Sequence, residues 1–182
     1  MVVVASEPWL AYGGYLLWLV AGLGDFLCHR RTDLPHTSGV AESASHLVQL
    51  ALLALAIAAA LAFEMGRAIA LLLCVLVVVH AAVGYWDTRV AFERHRVITP
   101  LEQHIHSVLD MAPWISLAWL LATTWPAAAS DGWELALRRP ALPLALWLVV
   151  LLPAGVLSVV PALLEFNAAW KARHEPRAAP PR

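Results

Sequence analysis

The stretch TPLEQHIHSVLDMAPWISLAWLLATTW, residues 99–125, places Glu102 and His106 four residues apart and then continues mostly apolar to its end. Thr99, Pro100 and Glu102 read as a capping box with proline at the first helical position. On a helix, residues i and i+4 share a face, so Glu102 and His106 point two metal-competent groups in one direction. Glu42 and His46 repeat the pair sixty residues earlier, again at the head of an apolar run. Either carboxylate has a simpler reading as a first-turn residue favoured by the helix dipole. Capping and ligation do not exclude each other.

The surroundings of both pairs are those of a membrane protein. Of 182 residues, 61% are hydrophobic and only 14% charged, with nine Trp. Soluble domains are nearer 45–50% apolar. A helix crossing a bilayer needs about 20 apolar residues. Stretches at residues 9–27, 44–63, 68–86, 101–125 and 141–164 meet that length. The expected fold is therefore an all-α integral membrane protein with five transmembrane helices in one domain, residues 1–173. Residues 174–182, rich in Pro, Ala and Arg, are expected to be a disordered tail. Pro143, Pro153 and Pro161 predict a kinked fifth helix. No basic segment precedes the first apolar run, so no cleaved signal peptide is expected. Cys28 and Cys74 are too few and too far apart for a disulfide framework. A net charge of −1 without a basic tract speaks against a nucleic-acid partner.

Lys and Arg set the orientation. Arg30, Arg31, Arg89, Arg94, Arg96, Lys171, Arg173, Arg177 and Arg182 fall on one side, and Arg67, Arg138 and Arg139 on the other. The richer side is expected to be cytoplasmic, with the N-terminus outside and the C-terminus inside. Trp9, Trp125 and Trp133 then mark the outer interface, and Trp86 and Trp170 the inner one. The preference for Arg and Ala fits a bacterial inner (cytoplasmic) membrane protein.

The sixty-residue offset also matches Gly24 with Gly84, and approximately Asp25 with Asp87. Residues 9–63 and 68–125 thus read as two parallel helix-hairpin repeats that form a four-helix bundle. Such a repeat implies a pseudo-two-fold axis along the membrane normal, which would bring the Glu-x-x-x-His pairs face to face.

Asp25 and His29 end the first span with the same spacing, and His80 and Asp87 share a face of the third. Ionisable groups inside a membrane are costly and mark functional sites. The expected metal ligands are Asp25, His29, Glu42, His46, His80, Asp87, Glu102 and His106. Asp110, His104 and His95 are further candidates, as ligands or as groups that orient them; His36 lies in a loop. Arg89, Arg94 and Arg96 read as the positive-inside signal or as a clamp for an anionic headgroup. Four-helix carboxylate–histidine sites hold two metal ions in bundle cores, and this donor set suits iron.

The leading expectation is a di-iron enzyme that oxidises a lipid or other hydrophobic substrate with dioxygen, served by a redox partner, at the cytoplasmic end of the bundle. One alternative is a zinc-dependent hydrolase of lipid amides or esters, with Glu42 or Glu102 as general base. Another is a haem b electron carrier. A metal-ion transporter fits less well, because such sites lie near the bilayer midplane.

Overall fold

The computed structural model describes residues 8–130 and 132–174. The proposed tail therefore lies outside the described residues, except His174, which ends a helix. The elements are α1 (Pro8–Arg31), a 3-10 turn (Leu34–His36), α2 (Val40–Ala62), α3 (Arg67–Glu93), α4 (Pro100–Ser130), α5 (Leu144–Ala154), a π turn (Gly155–Val159) and α6 (Val160–His174). Among the described residues the sole β-type pairing is an isolated bridge between Phe63 and Leu137. Five helices are long and apolar enough to cross a membrane: Trp9–Arg31, Gly39–Ala62, Arg67–Glu93, Pro100–Pro126 and Leu144–His174. The chain has the build of a multi-pass membrane protein.

The helices extend beyond the apolar stretches, mainly at one end. The first runs four residues past position 27, to Arg31, and the third seven past position 86, to Glu93. The fifth runs past position 164 to His174. Hydropathy marks only the part of a helix that matches the bilayer. In the polar turns beyond it, His29, Asp87 and Glu165 find partners inside the bundle, while Arg89 and Glu93 pair with each other on the surface. The expected kink in the fifth span takes the form of a π turn directly after Pro153. Proline removes a helical N–H and crowds the preceding turn, and a π turn absorbs that mismatch.

Packing follows a ring. α2 lies along α3, α3 along α4, and α4 along α1. α6 packs against α2 and α1, while the π turn also rests on α1. The fifth span is thus part of the bundle, which the expected four-helix arrangement left outside it. Side chains are distributed inside out. Leu17, Val75, Ile115, Leu148 and Val156 are exposed, whereas Asp25, His29, Glu42, His46, Asp87 and Glu102 are buried. In water this would be unstable; in lipid it is the arrangement that solvation demands. A small apolar core of Met65, Ile69, Leu73, Val77 and Leu117 fills the end opposite the charges.

Two local motifs shape the polar end. Gly39 precedes α2 with φ 59°, and a Cβ there would lie 3.2 Å from the Pro35 carbonyl oxygen, so only glycine turns the chain here without strain. α3 ends in a Schellman motif: the His95 N–H donates to the Phe92 carbonyl and the Arg96 N–H to the Ala91 carbonyl. His95 takes the left-handed position, φ 55°, that usually belongs to glycine. This reversal sends Arg96 back into the bundle.

Candidate metal centre

Asp25 and His29 lie on the last two turns of α1, Glu42 and His46 on the first two of α2, Asp87 near the end of α3, and Glu102 and His106 at the start of α4. The ring of helices brings all seven to one level. His46 Nε2 lies 3.3 Å from Asp87 Oδ2, and His106 Nε2 lies 2.9 Å from Asp25 Oδ1. His29 Nε2 faces Asp25 Oδ2 at 3.4 Å, Glu102 Oε1 at 3.5 Å and Glu42 Oε1 at 3.9 Å. His29 and His46 stack with ring centroids 4.8 Å apart and planes 5° from parallel.

The expected capping box is present. The Glu102 N–H donates to Thr99 Oγ1 at 3.2 Å, and the Thr99 N–H donates to Glu102 Oε2 at 3.4 Å. The other oxygen, Oε1, points into the bundle and accepts from Arg96 Nη1 at 2.6 Å. One carboxylate therefore starts α4 and also belongs to the buried cluster.

Arg96 departs from the expected headgroup clamp. Its Nε donates to Glu42 Oε2 at 2.9 Å and its Nη1 to Thr32 Oγ1 at 3.1 Å as well as to Glu102. It joins the two repeated glutamates through one guanidinium, with its side chain fully buried. Burial disfavours its charge, but Glu42 and Glu102 outweigh that and hold its pKa above the usual guanidinium value. Arg89 instead pairs with Glu93 at 2.7 Å on the exposed surface and lies over the Trp86 ring. Arg94 is exposed. The three arginines share no common ligand surface, because the reversal at His95 turns only Arg96 inward.

Glu165 was outside the expected ligand set and lies against two of its members. Its Oε2 is 2.7 Å from His29 Nδ1, and its Oε1 is 2.7 Å from His46 Nδ1. The apolar stretch ended at residue 164, one position short, and no histidine sits four residues away in the sequence. The available signal was a carboxylate flanked by Leu163, Leu164 and Phe166.

The other candidates separate. His80 is buried and lines a cavity of about 90 Å³ that Asp25, His46, Asp87, His106 and Asp110 also line; it belongs to neither group of convergent donor atoms. His104 is exposed, and His95 occupies the turn after α3. His36 bonds to Asp33 at 2.7 Å on the surface.

Two sets of donor atoms could hold a metal ion. One is Asp25, His29, Glu102 and His106, and the other His29, Glu42 and His46; within each, the donor atoms lie within 4.8 Å of one another. Ligands bound at about 2.1 Å to one ion lie roughly 3–4 Å apart, so small rotations would close either set. His29 Nε2, Asp25 Oδ1, Glu42 Oε1 and Asp87 Oδ1 are all buried without an aligned hydrogen bond among the described residues. The contacts of Asp25 Oδ1 and Glu42 Oε1 are at ion-pair distance but are not aligned as hydrogen bonds. Buried polar atoms in native proteins have partners, and these four lack an aligned one.

No family model matches this chain, and neither a curated protein nor a solved structure matches it.

Proposed function

We propose that this protein is a membrane-embedded dinuclear metal enzyme, with iron as the metal, that oxidises a lipid or other hydrophobic substrate with dioxygen at the cytoplasmic end of the bundle. The observation that carries the metal centre is the environment of His29. Its Nδ1 meets Glu165 and its Nε2 faces Asp25, Glu42 and Glu102, with 1% of the side chain exposed. A neutral imidazole can donate a proton from one nitrogen only. If Nδ1–H donates to Glu165, the Nε2 lone pair is directed at three carboxylates; Arg96 compensates Glu42 and Glu102, and Asp25 leaves room for a further cation or a proton on Nε2.

Charge counting supports two ions. Asp25, Glu42, Asp87, Glu102 and Glu165 are five carboxylates at this end of the bundle, where the one buried guanidinium among the described residues is that of Arg96, which reaches Glu42 and Glu102 alone among them. Ionised, they leave four negative charges, which two divalent cations would neutralise with every histidine neutral, as ligand histidines are. Unpaired buried charge would otherwise cost several kcal/mol per ion.

The pairing also supports the two-hairpin repeat. His46 of the first repeat meets Asp87 of the second, and His106 of the second meets Asp25 of the first. Glu42 and Glu102 meet on Arg96. Exchange of partners between repeats is what a two-fold axis produces. Each half-site then has a Glu and a His from one repeat and an Asp from the other.

For the substrate, an apolar groove of about 740 Å³ runs between α1 and α4, and Trp18 lines both this groove and the cavity beside His46 and His106. Among its hydroxyls, Ser107 donates to the Gln103 carbonyl, Thr123 to the Trp119 carbonyl and Tyr15 to the Val150 carbonyl, and the rest of the lining is mostly apolar. Inserting one oxygen atom into a C–H bond consumes one dioxygen, two electrons and two protons and releases one water. The electrons come from a redox partner on the cytoplasmic side, where the Lys and Arg distribution places this end.

The test is metal analysis and the visible spectrum of the purified protein. Two irons per chain are expected. Zinc alone would move the reading to a hydrolase, and a Soret band to a haem carrier. The face-to-face stacking of His29 and His46 speaks against haem, whose axial imidazoles stand on opposite sides of the porphyrin plane. Protein without metal after growth in iron- and zinc-replete medium would overturn the reading.

A further inference from the structure

The two half-sites share a ligand pattern but not a support. Glu165 holds His46 and His29 through Nδ1 at 2.7 Å each. One carboxylate thereby selects the tautomer of two rings, stacks them in parallel and leaves both Nε2 atoms to a metal. A carboxylate behind a ligand histidine fixes the ring and raises its basicity. His106 has no such support: among the described residues no hydrogen bond reaches its Nδ1, and its ring lies at the cavity wall with 12% of the side chain exposed. The reason lies in the fold. Glu165 comes from the fifth span, which has no counterpart in the repeat, and α6 packs against α2 and α1.

Resting on the dinuclear reading above, we propose that Glu165 is a positioning residue that makes the two metal positions unequal. The ion held by His29, Glu42 and His46, with Asp87 beside His46, binds tightly. The ion held by Asp25, Glu102 and His106, which shares His29 with the first, binds weakly and exchanges. Both positions border the cavity beside the groove, so the cavity does not distinguish them; the missing support behind His106 does. The inequality places an otherwise symmetric site under the control of a single side chain.

The experiment is a Co(II) titration of the metal-free protein in detergent, followed by visible absorption and paired with thermal melting of the metal-free state. Wild type is expected to load in two steps of different affinity. Glu165→Gln, which keeps the size but can accept at one oxygen only, should weaken the tight step by about 10–100-fold and change its absorption bands while the weak step shifts far less. His106→Ala should remove the weak step and leave the tight one. Unchanged melting of metal-free Glu165→Gln would show that the loss is not one of folding; if that variant fails to fold, the His106→Ala result still decides. Two ions binding with one affinity in wild type, or Glu165→Gln weakening both steps equally, would overturn the inequality and leave the dinuclear centre standing. A protein that binds no Co(II) would overturn both.

Discussion

Arg96 shows how much one residue can carry in a low dielectric. Two carboxylates, Glu42 and Glu102, with 0% side-chain exposure, share its guanidinium. Arginine suits this position because its planar fork offers several donors at once and never deprotonates in proteins. Arg96→Gln leaves both carboxylates uncompensated, a change that costs about 3–5 kcal/mol for buried pairs. The expected result is a large fall in melting temperature, partly restored by added divalent metal, which would supply the missing charge. Melting curves with and without metal check this, and an unchanged melting temperature would contradict the buried ion pair. The pH dependence has a definite sign. Because the pKa of Arg96 is raised, its contribution is fully present below the ordinary guanidinium value and is lost only as pH rises past the raised one. Protons compete with metal for histidine and carboxylate ligands, so metal content is expected to fall on acidification without any contribution from Arg96.

At the scale of elements, the helix ends do the positioning. The capping box at Thr99 and Glu102 starts α4 so that Glu102 Oε1 and His106 face inward. The Schellman turn ends α3 so that Arg96 returns. His95 holds the left-handed position of that turn at a steric cost of about 1 kcal/mol relative to glycine. His95→Gly should therefore raise stability by up to about that amount and leave metal content unchanged. Thermal melting together with metal analysis separates this from the reading of His95 as a ligand, under which metal would be lost.

The molecule as a whole is arranged around solvation by lipid. Large apolar side chains line the outside of every span, and the charges sit inside at one end. From the Lys and Arg distribution that end is expected to be cytoplasmic. A reporter active only in the cytoplasm should work when fused after Arg182, and one active only outside should work when placed after Gly132, between α4 and α5. The opposite outcome at both sites would invert the molecule and put the metal centre on the outer face.

Sequence alone determined what depends on short range and on the bilayer. Five helices follow from apolar runs long enough to span about 30 Å, and the capping box and the Glu-x-x-x-His faces follow from helical periodicity. Burial of Asp25, His29, Glu42, His46, Asp87 and Glu102 was legible because such groups in apolar runs must face the bundle interior. Tertiary structure decided the pairings. Arg96 reaches Glu42 across 54 positions, and Glu165 reaches His46 and His29 across 119 and 136. No local period encodes such separations. Glu165 lay one residue beyond its hydrophobic stretch, and Arg96 looked like an ordinary interfacial charge until the left-handed turn at His95 directed it inward. The packing of the ring of helices brings these side chains together, and that packing exists only in the assembled chain.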